Sequence, residues 1–225
     1  MKKIYVSPSD QVKNAYAAGN TTEAIQCRQI AMLLVKALER QGFGAKTNLT
    51  GSMYDRVKES NDFGADLHAC LHSNTYDEKL GEKEVSGTRL FCYVMGGEGH
   101  KACMAIMARL APITPGTSDG ISARPELYEC RAAAAPTVYI EIDFHDVDEV
   151  ALWIINHKEE IAEAIAQGIC DYFGVTYKAP ATTQEKPQES KLYRVQIGAY
   201  SVKANAEAQL AKAKAAGFTD AFITN

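Results

Sequence analysis

Three short apolar runs, separated by much longer stretches of helical periodicity, constrain this chain more than anything else in it. They are residues 3–8, residues 66–74 (DLHACLHSN) and residues 137–143 (TVYIEID). Runs of this length with apolar residues on both alternating faces read as strands buried on both sides of a sheet. Between them, residues 20–40 carry Ile30, Leu34 and Leu38 on one stripe and stop before Gly42, as a helix does. Residues 53–63 read as a second helix ended by Gly64. Residues 98–110 read as a third, with Cys103, Met107 and Leu110 inward. Residues 87–94 make a further strand, and residues 147–173 are helical with a polar interruption at 156–160. Residues 111–136 hold four prolines and two glycines and read as a long loop region.

Strands alternating with helices predict an α/β fold, a mostly parallel sheet covered on both faces. Sites in such sheets lie beyond the carboxyl ends of the strands. Residues 7–11, 72–74 and 141–146 all fall there. After them the pattern breaks. Residues 176–191 contain Pro180 and Pro187 and no packing periodicity, so they read as a flexible linker. Residues 192–225 then repeat strand, alanine-rich helix and strand, a small βαβ unit too short for a sizeable core of its own. The expected organisation is a catalytic domain over 1–175, a linker over 176–191 and an appended unit over 192–225.

Composition narrows the functions open to the chain. A net charge of −4 and a pI near 5.8 exclude the basic face that nucleic-acid binding needs. No apolar stretch reaches the length of a membrane span, so neither nucleic acid nor membrane is an expected partner. The first residues have two lysines but no apolar core or small-residue cleavage site, which predicts synthesis in the cytoplasm without a signal peptide. Six widely and irregularly spaced cysteines, most of them inside apolar patterns, read as reduced core thiols.

His72 closes the second apolar run, where His68, Cys70 and His72 share one face. Buried polar side chains must find partners, and neutral imidazole is the commonest metal ligand. Four residues of strand separate His68 from His72 by about 13 Å, so one metal cannot bind both without a bulge. His72, at the carboxyl end, is the expected ligand and His68 a hydrogen-bonded core histidine. Glu23 heads the stripe of Cys27, Ile30, Leu34 and Leu38, which makes it a candidate ligand. The spacing Asn20-x-x-Glu23 fits a capping box equally well. Glu141 interrupts an apolar strand, where desolvation raises a carboxyl toward the range a general base needs, unless an Arg or Lys pairs with it. His145 follows four residues later near the same rim, with Asp146 or Asp148 to orient its ring. Imidazole and carboxylate ligands plus a free carboxylate at strand ends suggest a catalytic zinc site.

These residues match a family. Ile4-Tyr5-Val6-Ser7-Pro8, Glu23 opening the first helix, Ser60-Asn61 and Gly64-Ala65-Asp66 leading into Leu71-His72-Ser73-Asn74, and Pro136 through Glu141 to Phe144 resemble the zinc-dependent N-acetylmuramoyl-L-alanine amidases over about residues 3–174. The resemblance implies a six-stranded sheet with flanking helices. It also implies Zn²⁺ as cofactor, His72 and Glu23 as ligands, and Glu141 as the catalytic carboxylate. One feature departs from the family. Its usual opening, Asp-Pro-Gly-His-Gly, supplies a first zinc-binding His, and Asp10 stands in that place here. His145 is the expected replacement because zinc sites favour nitrogen, with Asp10 as the oxygen substitute. Residues 192–200, 204–206 and 215–218 resemble a sporulation-related (SPOR-like) peptidoglycan-binding repeat, covering about half of one.

The function expected from this is hydrolysis of the amide between N-acetylmuramic acid and L-alanine in peptidoglycan. The enzyme would be an endolysin or autolysin acting on the wall after release from the cell. Two rivals stand beside it: a wall-binding protein with a degenerate amidase domain, motivated by the missing His, and a zinc carboxypeptidase acting on peptide stems.

Overall fold

A computed structural model describes residues 1–76, 86–180, 198–218 and 221–223 of the chain. It divides into two units, Met1–Pro180 and Ala181–Asn225. The first is built from β1 (Lys3–Pro8), α1 (Glu23–Arg40), β2 (Gly44–Thr47), α2 (Met53–Phe63), β3 (Leu67–Asn74), β4 (Arg89–Cys92), α3 (Glu98–Leu110), β5 (Gly120–Ala123), α4 (Tyr128–Ala132), β6 (Thr137–Phe144), α5 (Asp148–Asn156) and α6 (Lys158–Phe173). The strands form a six-stranded sheet in the order β2-β1-β3-β6-β4-β5. All neighbours are parallel except β4 and β6. This is the mostly parallel α/β sheet expected from the alternation.

Period-two alternation divides the central strands into chemically different faces. Ile4, Val6, Leu67, Leu71, Val138, Ile140 and Ile142 join one large apolar core with Ile30, Leu34 and Leu38 of α1, Ile106 and Leu110 of α3, and Ile161, Ile165 and Ile169 of α6. The other face is covered more thinly. Cys70 and Tyr139 pack there on Cys130, with Phe91 and Leu127 against them. On that face β1 and β3 also carry Ser7, His68 and His72, all buried. Strand ends from β1, β3 and β6 meet at one rim, where the register sets His72 opposite Glu141 and then slips before Asn74 pairs with Phe144.

Helix boundaries follow local chemistry. Ser52 caps α2 reciprocally with Asp55, and Gly64 ends it at φ 66°, a left-handed turn that glycine adopts without strain. At α1 the Asn20 capping box, the alternative role for Glu23, does not form. Thr22 is the N-cap, Asn20 itself has φ 47°, and the Glu23 amide donates to the Asn14 carbonyl at 2.9 Å. The Glu23 side chain is thereby left for other work. Residues 147–173 do form two helices, broken at His157 (φ −116°).

The stretch 111–136 is not all loop: it contains β5 and α4. These and β2 are four or five residues long, too short to display a period against their surroundings. Lys178 accepts from Arg40 Nε at 3.0 Å and from Gln41 Nε2 at 2.9 Å, which ties it to α1.

In the second unit α7 (Lys203–Ala215) is the helix expected there. The expected flanking strands fall mainly on residues outside those described, and the described parts, 198–200 and 221–223, carry no strand.

Candidate metal centre and catalytic carboxylate

His72 and Glu23 meet although 49 residues separate them: His72 Nδ1 lies 2.8 Å from Glu23 Oε1, with both side chains buried. Because Glu23 occupies the first turn of α1, the helix delivers its carboxylate over the end of β3. Asn14 Nδ2 donates to the other oxygen, Oε2, at 2.9 Å and to Gln11 Oε1 at 2.7 Å. The Gln11 amide in turn sits 3.4 Å from His72 Nδ1. Residues 9–16, following β1, therefore wrap the His72–Glu23 pair with neutral polar groups. Burial alone would lower the His72 pKa, but the Glu129 and Glu23 carboxylates more than reverse this and push it up to about 10. Glu23 is held below its usual range by His72, Asn14 and Ser9 in spite of burial. Without a metal the site is an imidazolium between carboxylates, and a cation entering it displaces a proton.

Glu141 stands beside His72 in the β3–β6 register, and the Tyr139 ring stacks on His72 at 4.2 Å. Its Oε2 is buried without a hydrogen-bond partner among the described residues. Burial, helped by the nearby Glu23 charge, pushes its carboxyl up to about 7, against the pull of His72 and Arg124. The alternative of a carboxylate paired with Arg or Lys has no ion pair behind it among the described residues. A carboxylate poised near neutrality beside a cation site can take a proton from water and give it up again.

The structure does not assemble the third ligand where the residue pattern put it. Among the described residues, the one group of three His, Cys, Asp or Glu side chains with ligating atoms all within 4.8 Å is His68, Cys70 and Glu129. Neither His145 nor Asp10 joins His72 and Glu23 at that range. His145 is buried, its Nδ1 bonded to Ser73 Oγ at 2.8 Å and its ring stacked on Tyr16 at 4.7 Å. Its carbonyl accepts from Ala17 at 2.9 Å, so it ties the end of β6 to the segment carrying Gln11 and Asn14. Asp10 is drawn away by α2, accepting from the Met53 amide at 3.1 Å with Arg56 Nη2 at 3.5 Å. The group that does face Nδ1 is the Gln11 amide, which presents its nitrogen there at 3.4 Å and would present its oxygen after a rotation that gives up the bond from Asn14. His72 Nδ1, Glu23 Oε1 and Gln11 are a donor set that fits a zinc ion, with nitrogen and oxygen ligands converging and a free carboxylate alongside.

Glu129 was missed because it rides on α4, inside the presumed loop. Its Oε1 accepts from Ser7 Oγ and lies 3.2 Å from His68 Nε2. Arg56 Nε donates to Ser7 Oγ at 2.9 Å. The two histidines judged too far apart for one metal thus face the two oxygens of one carboxylate. The signal available was an acid set between Leu127 and Cys130, both apolar, and it is weak. The His68–Cys70–Glu129 group is a poorer cation site than the rim. His68 and Cys70 are fully buried, burial pushes the Cys70 thiol well up, and the Ser7–Arg56 pair already balances the carboxylate. His100 and His157 are packing residues, accepting from Gly96 and stacking on Trp153 respectively. The six cysteines are free and buried.

Comparison with known proteins bears on this arrangement. A family model described as N-acetylmuramoyl-L-alanine amidase matches residues 8–171, and one described as SPOR domain matches residues 179–225. The chain is similar to the sporulation-specific N-acetylmuramoyl-L-alanine amidase of Bacillus subtilis (strain 168), 26% identical over 229 residues, which is 97% of this chain and 83% of that protein. Its fold is similar to that of the N-acetylmuramoyl-L-alanine amidase from Clostridium difficile 630, with TM-score 0.68 and 20% identity over 77% of this chain and 97% of that one. The catalytic domain of CwlV from Bacillus (Paenibacillus) polymyxa var. colistinus gives TM-score 0.67 and 18% identity over 78% of this chain and 100% of that one.

Proposed function

The chain belongs to the N-acetylmuramoyl-L-alanine amidase family, and from that premise we propose a zinc-dependent hydrolase that cuts the amide joining the lactyl group of N-acetylmuramic acid to L-alanine in peptidoglycan. The observation that carries this is the meeting of His72 Nδ1 and Glu23 Oε1 at 2.8 Å beside Glu141, whose buried Oε2 has no hydrogen-bond partner among the described residues. His72, Glu23 and the Gln11 amide would hold the ion. When bound, zinc supplies Lewis-acid polarisation and lowers the pKa of water. The protein does the rest. Glu141 accepts a proton from the attacking water on its free Oε2 and delivers it to the leaving alanine nitrogen, so the amine departs neutral. Tyr139 stacks on His72 and limits its rotation. Asn14 bonds Glu23 and sets the orientation of its carboxylate. The carboxyl-terminal unit, which matches the SPOR domain over its length, would hold the enzyme on the wall it cuts, raising the local concentration of bonds. Its place of action is then the wall, after release from the cell that makes it.

The test is digestion of purified peptidoglycan followed by labelling of new amino termini. Alanine termini should appear, vanish with chelator and return with zinc. A chain that releases stem-terminal amino acids instead is a carboxypeptidase. One that releases nothing while binding the wall is a binding protein. Activity that survives both chelation and Glu141→Gln sinks the mechanism.

A further inference from the structure

The second nitrogen of His72 is buried and lacks a hydrogen bond among the described residues, yet a carboxylate oxygen faces it. Glu129 Oε2 lies 3.8 Å from His72 Nε2, too long for a hydrogen bond and close enough to become one with a small side-chain shift. The two oxygens of Glu129 are in different situations. Oε1 is taken by Ser7 and His68, with Arg56 behind Ser7. Oε2 faces His72, and the Cys70 thiol also bonds to this carboxylate. The carboxylate is buried and enters from α4, an element that touches neither Glu23 nor the segment after β1 in any hydrogen bond described. His72 is thus held from two sides: Glu23 and Gln11 at Nδ1, Glu129 at Nε2.

We propose that Glu129 is a positioning residue that takes the Nε2–H of His72, which fixes the ring and its tautomer so that Nδ1 is the nitrogen offered to the metal. This rests on the metal reading of the rim. An imidazole that binds a cation through one nitrogen carries its proton on the other, and an oriented carboxylate there raises the basicity of the ligating nitrogen. The proton stays on Nε2 and no group is transferred. Ser7 and His68 occupy the far oxygen, and so stop the carboxylate from turning away.

Zinc affinity of the full chain, measured by competition with a chromophoric chelator, tests the assignment with wild type, E129Q and H72A. Wild type should bind one zinc and H72A should lose it. E129Q should bind about 10–100-fold more weakly. Wild-type affinity in E129Q overturns the role of Glu129 and leaves the rim metal site standing. Absence of zinc from wild type overturns the metal reading itself. Should E129Q not fold, nitrogen-15 NMR of the zinc-loaded wild type decides. A His72 proton on Nε2, shifted downfield by a carboxylate, upholds the proposal, and a proton on Nδ1 overturns it.

Discussion

At the scale of single residues, the site turns on what burial does to three acids. Glu23 and Glu129 each gain partners and stay charged, whereas Glu141 gains none and its carboxyl rises to about 7. For stability the sign is unfavourable. Above the ordinary carboxyl range, near 4.5, the unfolded chain releases this proton while the folded one keeps it. Folding therefore loses stability as pH climbs toward 7, and the full penalty, about 3 kcal/mol, is present beyond it. Glu141→Gln should abolish amidase activity and yet melt higher than wild type at pH 8 in chelator, with the two converging near pH 4. Equal melting at pH 8 would show that burial does not raise the Glu141 carboxyl. His145 and Gln11 make a second contrast. Because Gln11 faces His72 Nδ1 and His145 is bonded to Ser73, Gln11→Ala should weaken zinc binding about tenfold or more. His145→Ala should instead lower the melting temperature and leave metal affinity within a few fold. The reverse pattern would restore His145 as the ligand. Of these residues, His72, Glu23 and Glu141 stand out in the amino-acid order because each breaks an apolar pattern. Gln11 and Glu129 break none, and only the folded chain shows them facing the ring.

Elements differ in how far local order specifies them. β3, β6, α2 and α3 are long enough for their period to show, and their observed limits lie close to those expected. β2, β5 and α4 exist because longer neighbours hold them: β2 pairs along β1, and β5 along β4. Tertiary packing leaves a mark of its own between α3 and α6. A Cβ on Gly168 would lie 2.5 Å from Ile106 Cα and 3.0 Å from the Ala105 carbonyl oxygen. These are backbone atoms that cannot turn aside, so the two helices require glycine there. Gly168→Val should cost about 1–3 kcal/mol of stability, read as a lowered denaturation midpoint, without changing zinc affinity once folded. A neutral effect would mean that the helices separate freely.

For the molecule as a whole, the first unit has a large apolar core of its own, and Lys178 is bonded to α1. A chain ended at Pro180 should fold, bind zinc and cleave soluble muropeptide fragments at close to the full rate. Its activity on insoluble wall should fall several-fold as tethering is lost. Equal loss on both substrates would mean that the carboxyl-terminal unit serves the site rather than the wall. The α/β class, the mostly parallel sheet, the reduced cysteines and the three residues that interrupt apolar patterns were all legible in the order of amino acids, because burial and periodicity are local properties of a run. Which groups surround His72 was decided by tertiary structure. Contacts between β1, α1, β3 and α4 close gaps of 49 residues or more, and no local pattern encodes the distance between two side chains that far apart.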